Sequence, residues 1–538
     1  MSEIRRDFLK LAGLSVVGGT STWLKHTLAA VPSGAARPGG ARVGQALFNV
    51  KDLGATGDGH TIDSPAINSA IERAAAANGG TVVFPAGTYA CYSLHLKSFV
   101  ALYLSQGATI LAAPFDGTTS GGYDAPEPQG PWEPYQDYGH NHWHNSLMWG
   151  EGIHDFGIFG PGLVWGKGLI RAHDEKAPPG TEKIGMGNKS IALKNCYNVI
   201  LRDFSILEGG WFGILATGVD NLTIDNLKID TNRDGMDLDC CRNVRVSNCT
   251  VNSPWDDGIC PKSSFALGYA RSTENVTIAN CYVTGDFQVG SVLDGSWKRM
   301  DPSFRRHATG RIKFGTESNG GFKNITISNC VFESCRGLAL ETVDGAQCED
   351  ISVVGLTMRD VRGCPLFLRL GARMRGPKDA KPGALRRILL SNITSHAAEQ
   401  LPSILSGVPG NYIEDVQIND VYLHQMGGGG AELASLLPPE RADQYPEPTM
   451  FGDLPATGLF VRHVRNLAVS NLEIATEEPD ARPAFWLDDV VGADFFRLRM
   501  PQSGSRLQFY LKDVEDFRVF GSRHFKDVSL DRAENQRL

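Results

Sequence analysis

The sequence predicts an all-β fold, a single-stranded right-handed parallel β-helix with an N-terminal capping helix. A short unit recurs along the chain, in which an Asn or Asp precedes alternating apolar residues and a second Asn or Asp follows them. Copies of the unit begin at Asn198, Asn221, Asn243, Asn275 and Asn324, so the first spacings are 23 and 22 residues and the later ones are 32 and 49. Period-two alternation indicates strands, and a period of about 22 residues with Asn at the turns is typical of a parallel β-helix. The longer spacings indicate loops inserted on one face.

The same repeat predicts one domain over residues 41–538. A length of 538 residues would otherwise allow several domains. The coils of a solenoid, however, bury their apolar faces only against neighbouring coils and therefore form one body. The net charge is -8, and a net negative chain gives no reason to expect a nucleic-acid partner.

Residues 1–40 lie outside the repeat. Arg5-Arg6-Asp7-Phe8-Leu9-Lys10 precedes an apolar stretch from Leu11 to Leu24, which is too short and too interrupted to span a bilayer comfortably. This pattern resembles a twin-arginine export signal followed by a Pro/Gly/Ala-rich linker. It predicts the twin-arginine export machinery as a partner, a periplasmic or secreted location and no membrane span in the mature form. The alternative is a basic N-terminal helix that stays in place.

A helix is predicted after Ser64, with Ser64 as the N-cap and Pro65 at the first helical position. Gly79-Gly80 ends it. Apolar residues recur with helical spacing at Ile67, Ala70, Ile71 and Ala74. We expect this helix to cover the core and the strand edges at one end of the solenoid. With the flanking runs 53–59 and 80–89, it resembles the N-terminal segment of pectate-lyase-like β-helix proteins, a likeness of fold rather than of chemistry.

Eleven cysteines are an odd number, which prevents complete intrachain pairing. Cys249, Cys281 and Cys330 each follow the second Asn of a repeat, so we expect them to stack in the interior of successive coils rather than to form disulfides or bind metal. No Cys-x-x-Cys spacing indicates a zinc site. We therefore expect neither a metal nor a cofactor.

Two acidic runs, Asn232-Arg233-Asp234-Gly235-Met236-Asp237 and Trp255-Asp256-Asp257-Gly258, lie 22 residues apart. One coil of separation would stack Asp234 on Asp256 at roughly 5 Å. Adjacent carboxylates are electrostatically unfavourable unless something uses them, and perturbed carboxylates collect at functional sites. The cluster therefore predicts acid and base catalysis. The alternative is a set of turn residues that only bond the backbone.

Arg311-Ile312-Lys313 follows about two coils later. Alternation along a strand places Arg311 and Lys313 on one face and turns Ile312 into the core. Two neighbouring cations in a net negative chain form a local anion site near the carboxylates. A solvated Lys/Arg pair is the alternative.

These residues carry a family resemblance. Asn232-x-Asp234, Asp256-Asp257 and Arg311-Ile312-Lys313, in this order on a β-helix, resemble the motifs of the family 28 glycoside hydrolases, the polygalacturonase family, over residues 45 to about 475. The resemblance implies hydrolysis of a uronic-acid-containing polysaccharide, such as pectin, polygalacturonan or rhamnogalacturonan, by two carboxylates. We expect inversion, because Asp234 and Asp256 on neighbouring coils can splay beyond the roughly 5 to 5.5 Å of retaining enzymes and admit a water. The resemblance also implies that Asp256 is the general acid and that Asp234 and Asp257 activate water. Asn232, Arg311 and Lys313 would then bind substrate, the two cations by pairing with a uronate carboxylate.

The physical chemistry agrees with these roles, because a carboxyl crowded by like charges has a raised pKa and can deliver a proton. Two departures from the family pattern bear on the substrate. Arg233 stands where the family has Thr, and residues 284–291 contain no histidine where the family has Gly-His-Gly. Rhamnogalacturonan or another uronate-containing glycan is therefore favoured over plain homogalacturonan.

The run Tyr138-Gly139-His140-Asn141-His142-Trp143-His144-Asn145 contains three alternating histidines. On an extended stretch, His140, His142 and His144 would lie on one side and Trp143 on the other. His142 is the candidate for substrate binding in place of the missing histidine, and His307, four residues before Arg311, is a weaker one. A metal site is conceivable, but no carboxylate is spaced in the sequence to complete it.

Two other functions stay open. A uronate polysaccharide lyase would bind Ca²⁺ through the aspartates and abstract a proton with Arg311 or Lys313. A non-catalytic glycan-binding β-helix is the alternative from a different class, although stacked carboxylates would repel an anionic glycan. Loops at 112–150, 167–188 and 427–457 are long enough to close one end of a groove, which favours exo action.

Overall fold

The computed structural model describes residues 47–115, 117, 121–170, 184–305, 307–500 and 507–538. The predicted export signal and linker, residues 1–40, lie outside the described residues, as does part of the 167–188 loop. Within the described ranges, no helix is both long and apolar enough to cross a membrane.

Short strands alternate with turns along the whole described chain. In chain order they are β1 (Leu47–Asn49), β2 (Asp58–Ile62), β3 (Gly80–Phe84), β4 (Gly87–Cys91), β5 (Leu94–His95), β6 (Val100–Leu104), β7 (Ala108–Ala112), β8 (Met148–Glu151), β9 (His154–Phe159), β10 (Leu163–Trp165), β11 (Lys189–Lys194), β12 (Tyr197–Arg202), β13 (Ser205–Leu207), β14 (Phe212–Thr217), β15 (Asp220–Asp225), β16 (Lys228–Asp230), β17 (Asp234–Asp239), β18 (Arg242–Ser247), β19 (Thr250–Asn252), β20 (Ile259–Lys262), β21 (Thr273–Ala279), β22 (Tyr282–Thr284), β23 (Lys313–Phe314), β24 (Phe322–Glu333), β25 (Arg336–Thr342), β26 (Gln347–Leu370), β27 (Ala384–Ala397), β28 (Ser403–Ser406), β29 (Ile413–Gly427), β30 (Leu459–Glu478), β31 (Phe485–Phe496), β32 (Phe509–Phe520), β33 (Val528–Ala533) and β34 (Gln536–Arg537). The helices are α1 (Ser64–Ala76) and α2 (Pro302–Arg305), with 3-10 turns at Val50–Leu53, Glu133–Tyr135, Tyr138–Asn141, Leu433–Ser435 and Pro448–Phe451.

The strands stack in parallel into three faces, which confirms the predicted right-handed parallel β-helix. The first face runs from β1 through β3, β6, β9, β12, β15, β18 and β21 to β24. The second runs from β2 through β4, β7, β10, β13, β16 and β19 to β22. The third is a six-stranded sheet of β5, β8, β11, β14, β17 and β20, which continues through β23 and β25. The third face carries the predicted site residues.

The repeated asparagines form a ladder at one turn of the helix. Asn221, Asn243, Asn275 and Asn324 each donate a side-chain hydrogen bond to the asparagine one coil earlier, at 2.9, 3.2, 3.1 and 2.8 Å. All have φ between 53° and 58°, in the left-handed region that Asn tolerates better than most residues. The repeated Asn therefore marks a turn in each coil, and its side chains form a column of amide hydrogen bonds along the helix.

The interior of the coils is one continuous apolar core. Cys249, Cys281 and Cys330 lie within it, and all eleven cysteines are buried and free. At the N-terminal end, α1 packs against β1, β3 and β5 and buries the four predicted apolar residues. Its N-cap is Asp63 rather than the predicted Ser64, which is already helical. The Asp63 carboxylate accepts backbone hydrogen bonds from Thr56 and Gly57 instead of capping the helix.

Further segments cover the C-terminal end of the β-helix and the outside of the third face. The last strands, β33 and β34, run antiparallel to β32. The long loop 428–458, between β29 and β30, packs on the outside of the third face. Its Phe451 belongs to an outward apolar cluster with Ala339, Phe367, Phe460 and Trp486.

Candidate active site

Three of the predicted carboxylates converge on the third face. The ladder between β17 and β20 pairs Met236 with Ile259, so the register places Asp234 beside Asp257. The expected stacking of Asp234 on Asp256 is wrong by one residue, because this coil spans 23 residues rather than 22. The Asp257 amide donates to Asp234 Oδ1 at 3.1 Å. One carboxylate oxygen from each of Asp234, Asp256 and Asp257 nevertheless lies within 4.8 Å of the other two.

Asp256 reaches solvent and is paired with Arg233. Its side chain is 27% exposed, whereas Asp234 and Asp257 are buried. Arg233 Nη2 donates to Asp256 Oδ2 at 2.7 Å, and the guanidinium lies 5.3 Å from the centre of the Trp211 ring. The residue that replaces the family Thr therefore forms an ion pair with the expected general acid.

Asp257 is held between the two predicted cations. Arg311 Nε donates to Asp257 Oδ1 at 2.9 Å, and Lys313 Nζ lies 3.3 Å from Asp257 Oδ2. Ile312 between them is in the core, as the alternation predicts. Burial alone would raise the pKa of Asp257, but Lys313 and Arg311 outweigh it and hold that pKa well below its ordinary value. These contacts therefore favour the ionised form of Asp257.

The deeper carboxyls of the cluster have raised pKa values. Burial raises the pKa of Asp234 well above its ordinary value, and the neighbouring Asp237 and Asp256 raise it further. Burial also raises the pKa of Asp237 to about 8, although Lys262 opposes the change. Like-charge crowding in the sequence predicts the proton on Asp256. In the structure, burial adds to that crowding at Asp234.

A buried ionic set behind Asp237 was missed from the sequence. Lys262 Nζ lies 3.2 Å from Glu317 and 3.7 Å from Asp237. His140 bridges the same two carboxylates at 3.8 and 3.7 Å. Lys262 is on β20 at the same parity as the outward Cys260, so period-two alternation could have found it. Glu317 follows β23 without any pattern that marks it.

Glu447, from the loop 428–458, also enters the site. Its carboxylate lies 2.9 Å from Arg311 Nη2, 2.7 Å from Arg336 Nη1 and 3.9 Å from Lys313 Nζ. The hydroxyl of Tyr445 accepts a hydrogen bond from Lys313 at 3.1 Å. Tyr445 and Glu447 lie more than 130 positions further along the chain than Arg311 and Lys313, so no local motif connects them with these two cations.

The histidine run does not form the expected extended stretch. Tyr138–Asn141 is a 3-10 turn, so its side chains do not alternate between two sides. His142 is buried and lies 3.0 Å from Glu133, and its burial lowers its pKa to about 4. His140 is the histidine that reaches the carboxylate cluster, through Asp237. His144 contacts Glu127 and Glu151 at 3.5 and 3.0 Å, carboxylates that the sequence spacing did not indicate.

Asn232 and His307 lie near Trp255, the residue before Asp256. The backbone amide of Trp255 donates to the Asn232 carbonyl at 3.1 Å. Asn232 is nearly buried, and its side-chain oxygen has no hydrogen-bond partner within the described part of the chain. Phe304 lies 5.0 Å from Trp255 and 6.2 Å from the exposed His307 ring. Half-exposed Trp255 therefore offers an apolar platform beside Asp256.

Two sets of acidic side chains in this region are close enough together to hold a cation. They are Asp234 with Asp237 and Cys260, and Asp234 with Asp256 and Asp257. Lys262, Arg233, Arg311 and Lys313 already place positive charge against these groups. The arrangement suits acid and base catalysis, because burial raises the pKa of Asp234 while Lys313 and Arg311 lower that of Asp257.

Comparisons with known proteins agree with the fold and the motifs. Residues 47–107 match the family described as "Rhamnogalacturonase A/epimerase, pectate lyase-like", and residues 181–298 match "Right handed beta helix region". A "Probable polygalacturonase" of Vitis vinifera is 22% identical over 455 residues, which cover 79% of this chain and 84% of that protein.

Two solved structures share the fold. The hyperthermoactive exopolygalacturonase of Thermotoga maritima superposes with a TM-score of 0.57 at 15% identity, covering 92% of this chain and 96% of that one. The family 28 exopolygalacturonase of Yersinia enterocolitica gives a TM-score of 0.56 at 18% identity, covering 86% and 79%. These similarities agree with the resemblance that the motifs indicated: the chain is similar to polygalacturonases and shares their parallel β-helix fold.

Proposed function

We propose that this protein hydrolyses glycosidic bonds in a uronic-acid-containing, pectin-type polysaccharide by an inverting mechanism. One observation carries the proposal: three converging carboxylates have environments that separate their protonation states, with burial favouring the proton on Asp234 and two cations keeping Asp257 ionised. The relatives' names, polygalacturonase and exopolygalacturonase, support pectin as the substrate class.

The proposed roles follow from exposure and charge. Asp256 reaches solvent beside Trp255 and delivers the proton to the leaving oxygen, since the other two carboxyls are buried. Asp234 holds a proton that passes to Asp256 as Asp256 protonates the leaving oxygen, and Asp257 orients the attacking water and takes up its proton. Arg311 and Lys313 keep Asp257 ionised, and Arg233 orients Asp256.

One oxygen of each of Asp234, Asp256 and Asp257 lies within 4.8 Å of the other two. This spacing by itself would favour retention, because retaining glycosidases hold their carboxyls about 5 to 5.5 Å apart and inverting ones about 6.5 to 9.5 Å. The contacts of Asp257 favour inversion. Both of its oxygens are engaged by cations at 2.9 and 3.3 Å, which leaves it a poor nucleophile but a suitable group to hold a water.

The geometry argues against a lyase. Burial would lower the pKa of Lys313, but Asp257 and Glu341 outweigh it and raise that pKa well above its ordinary value. A permanently protonated lysine does not abstract a proton. The loop 428–458 across the third face supports the exo action predicted from loop lengths.

The test is a screen of the purified protein against homogalacturonan, rhamnogalacturonan and oligogalacturonides, with chromatography of the early products. Saturated products with a new reducing end are expected, and single-residue products would support exo action. Unsaturated products that absorb in the ultraviolet and vanish with a chelator would establish a lyase instead. No product from any glycan would favour a non-catalytic binding protein.

We also propose that residues 1–40 direct export through the twin-arginine route to the periplasm or outside the cell. The paired Arg5 and Arg6 support this. Replacing both with lysine should leave the protein in the cytoplasmic fraction, and an unchanged distribution would contradict the proposal.

A further inference from the structure

The carboxylate of Glu447 fills a pocket built from three cations. Arg311 and Arg336 lie 2.9 and 2.7 Å from its two oxygens, and Lys313 lies 3.9 Å away. Arg311 is almost completely buried, and the same side chain holds Asp257. This is the arrangement that a substrate carboxylate would need, since charge-assisted guanidinium contacts are the usual means of carboxylate recognition.

Glu447 is a fixed occupant of this pocket, because buried arginines anchor its loop on both sides. Before it, Arg462 donates to the Pro438 and Pro439 carbonyls at 2.7 and 2.9 Å, and Arg369 donates to the next two carbonyls at 3.1 and 3.0 Å. After it, Arg482 donates to the Leu454 carbonyl at 3.1 Å. Phe451, four residues from Glu447, is packed in the outward apolar cluster.

The pocket has little positive charge left for a ligand. Its three cations face the carboxylates of Asp257 and Glu447, and Lys313 also lies 3.8 Å from Glu341. Burial raises the pKa of Glu341 to about 7, so near neutral pH it is partly ionised as well. A second carboxylate placed here would meet protein carboxylates that already use the donors.

We infer that Glu447 is a specificity-determining residue that stands in the position of a substrate carboxylate, so that the sugar bound beside Asp257 is a neutral or esterified one. The inference rests on the proposed function and deepens it. It points to a glycan that alternates uronate with neutral sugars, or to a methyl-esterified one, rather than to fully de-esterified polygalacturonate.

The test is independent of turnover. Binding of a sulfur-linked, non-hydrolysable trigalacturonate, and of its three singly methyl-esterified forms, is measured by calorimetry for the wild type, Glu447→Gln and Asp443→Asn. Asp443 is an exposed acid on the same loop and serves as the matched control. The wild type should bind at least one ester as tightly as the free acid. At that position, Glu447→Gln should raise the ratio of the affinity for the free acid to the affinity for the ester by at least about tenfold, the gain typical of a charged hydrogen bond. Asp443→Asn should leave this ratio unchanged.

Two results would overturn the inference. One is a ratio of free-acid affinity to ester affinity in Glu447→Gln that stays within about twofold of the wild-type ratio at every position. The other needs no variant: a wild type that loses more than about tenfold in affinity for all three esters has no site for a neutral sugar. An inactive protein in the glycan screen that still shows the Glu447→Gln shift would refute the proposed hydrolysis and leave this inference standing.

Discussion

Asp237→Asn should stabilise the protein increasingly as the pH rises. Burial raises the pKa of Asp237 from 3.8 to about 8. Below pH 3.8 both the folded and the unfolded chain carry the protonated carboxyl. Between these values only the unfolded chain is ionised, so stability is lost as the pH rises toward the folded pKa, at about 1.4 kcal/mol per pH unit. From pH 6 to pH 8 the wild type should lose about 2 kcal/mol that the Asn variant keeps.

The assay is urea unfolding at pH 6 and pH 8, followed by tryptophan fluorescence. Asp239→Asn is the control, because Asp239 is a buried carboxylate of the same strand that accepts hydrogen bonds from the Ser264 amide and hydroxyl at 2.7 and 2.6 Å. Its loss should lower the free energy of unfolding by the same amount at both pH values. A difference between wild type and Asp237→Asn that is equal at pH 6 and pH 8 would refute the reasoning, since no proton would then separate the folded and unfolded states.

Three further predictions concern the same face. Asp256→Asn should lower turnover by at least about 100-fold with an unchanged urea midpoint, and a variant that keeps a tenth of the wild-type rate would exclude Asp256 as the acid. Proton NMR of the first-formed reducing end should show inverted configuration; retained configuration would make one of the aspartates a nucleophile. Lys262→Met should cost about 3 kcal/mol of unfolding free energy, because it removes the buried cation that lies 3.2 Å from the buried Glu317 carboxylate. Lys512 is more exposed, and Lys512→Met should cost about 1 kcal/mol or less of unfolding free energy. Equal losses for the two variants would contradict the role of Lys262 as a buried cation.

The fold could be predicted because its information is local and repeated. Each coil repeats the same alternation of apolar and polar residues and the same Asn at the turn. Asn221 and Asn243 therefore identify the asparagine ladder before any tertiary contact is known. The alternation also places Arg311 and Lys313 together with Ile312 in the core. It cannot resolve whether a coil has 22 or 23 residues, and for that reason the pairing of Asp234 was assigned to Asp256 instead of Asp257.

The rest of the site depends on loops, where no period operates. His140 rather than His142 faces the aspartates because the chain makes a 3-10 turn there, which alternation of residue types does not reveal. Glu447 reaches the cations only because remote arginines hold its loop against the third face. The raised pKa of Asp234 comes mainly from burial, which the order of charges along the chain does not reveal.

The reversed strands at the C-terminal end bear on how this molecule behaves in concentrated solution. A parallel solenoid has a polarity, and an open final coil would be a template on which the first coil of another copy could continue the same ladder. Here β33 and β34 run against β32, so the hydrogen-bonding groups of its free edge are already used in the opposite direction. Helix α1 covers the other end. Head-to-tail addition of another copy to β32 in the parallel direction of the coils is therefore blocked at the C-terminal end.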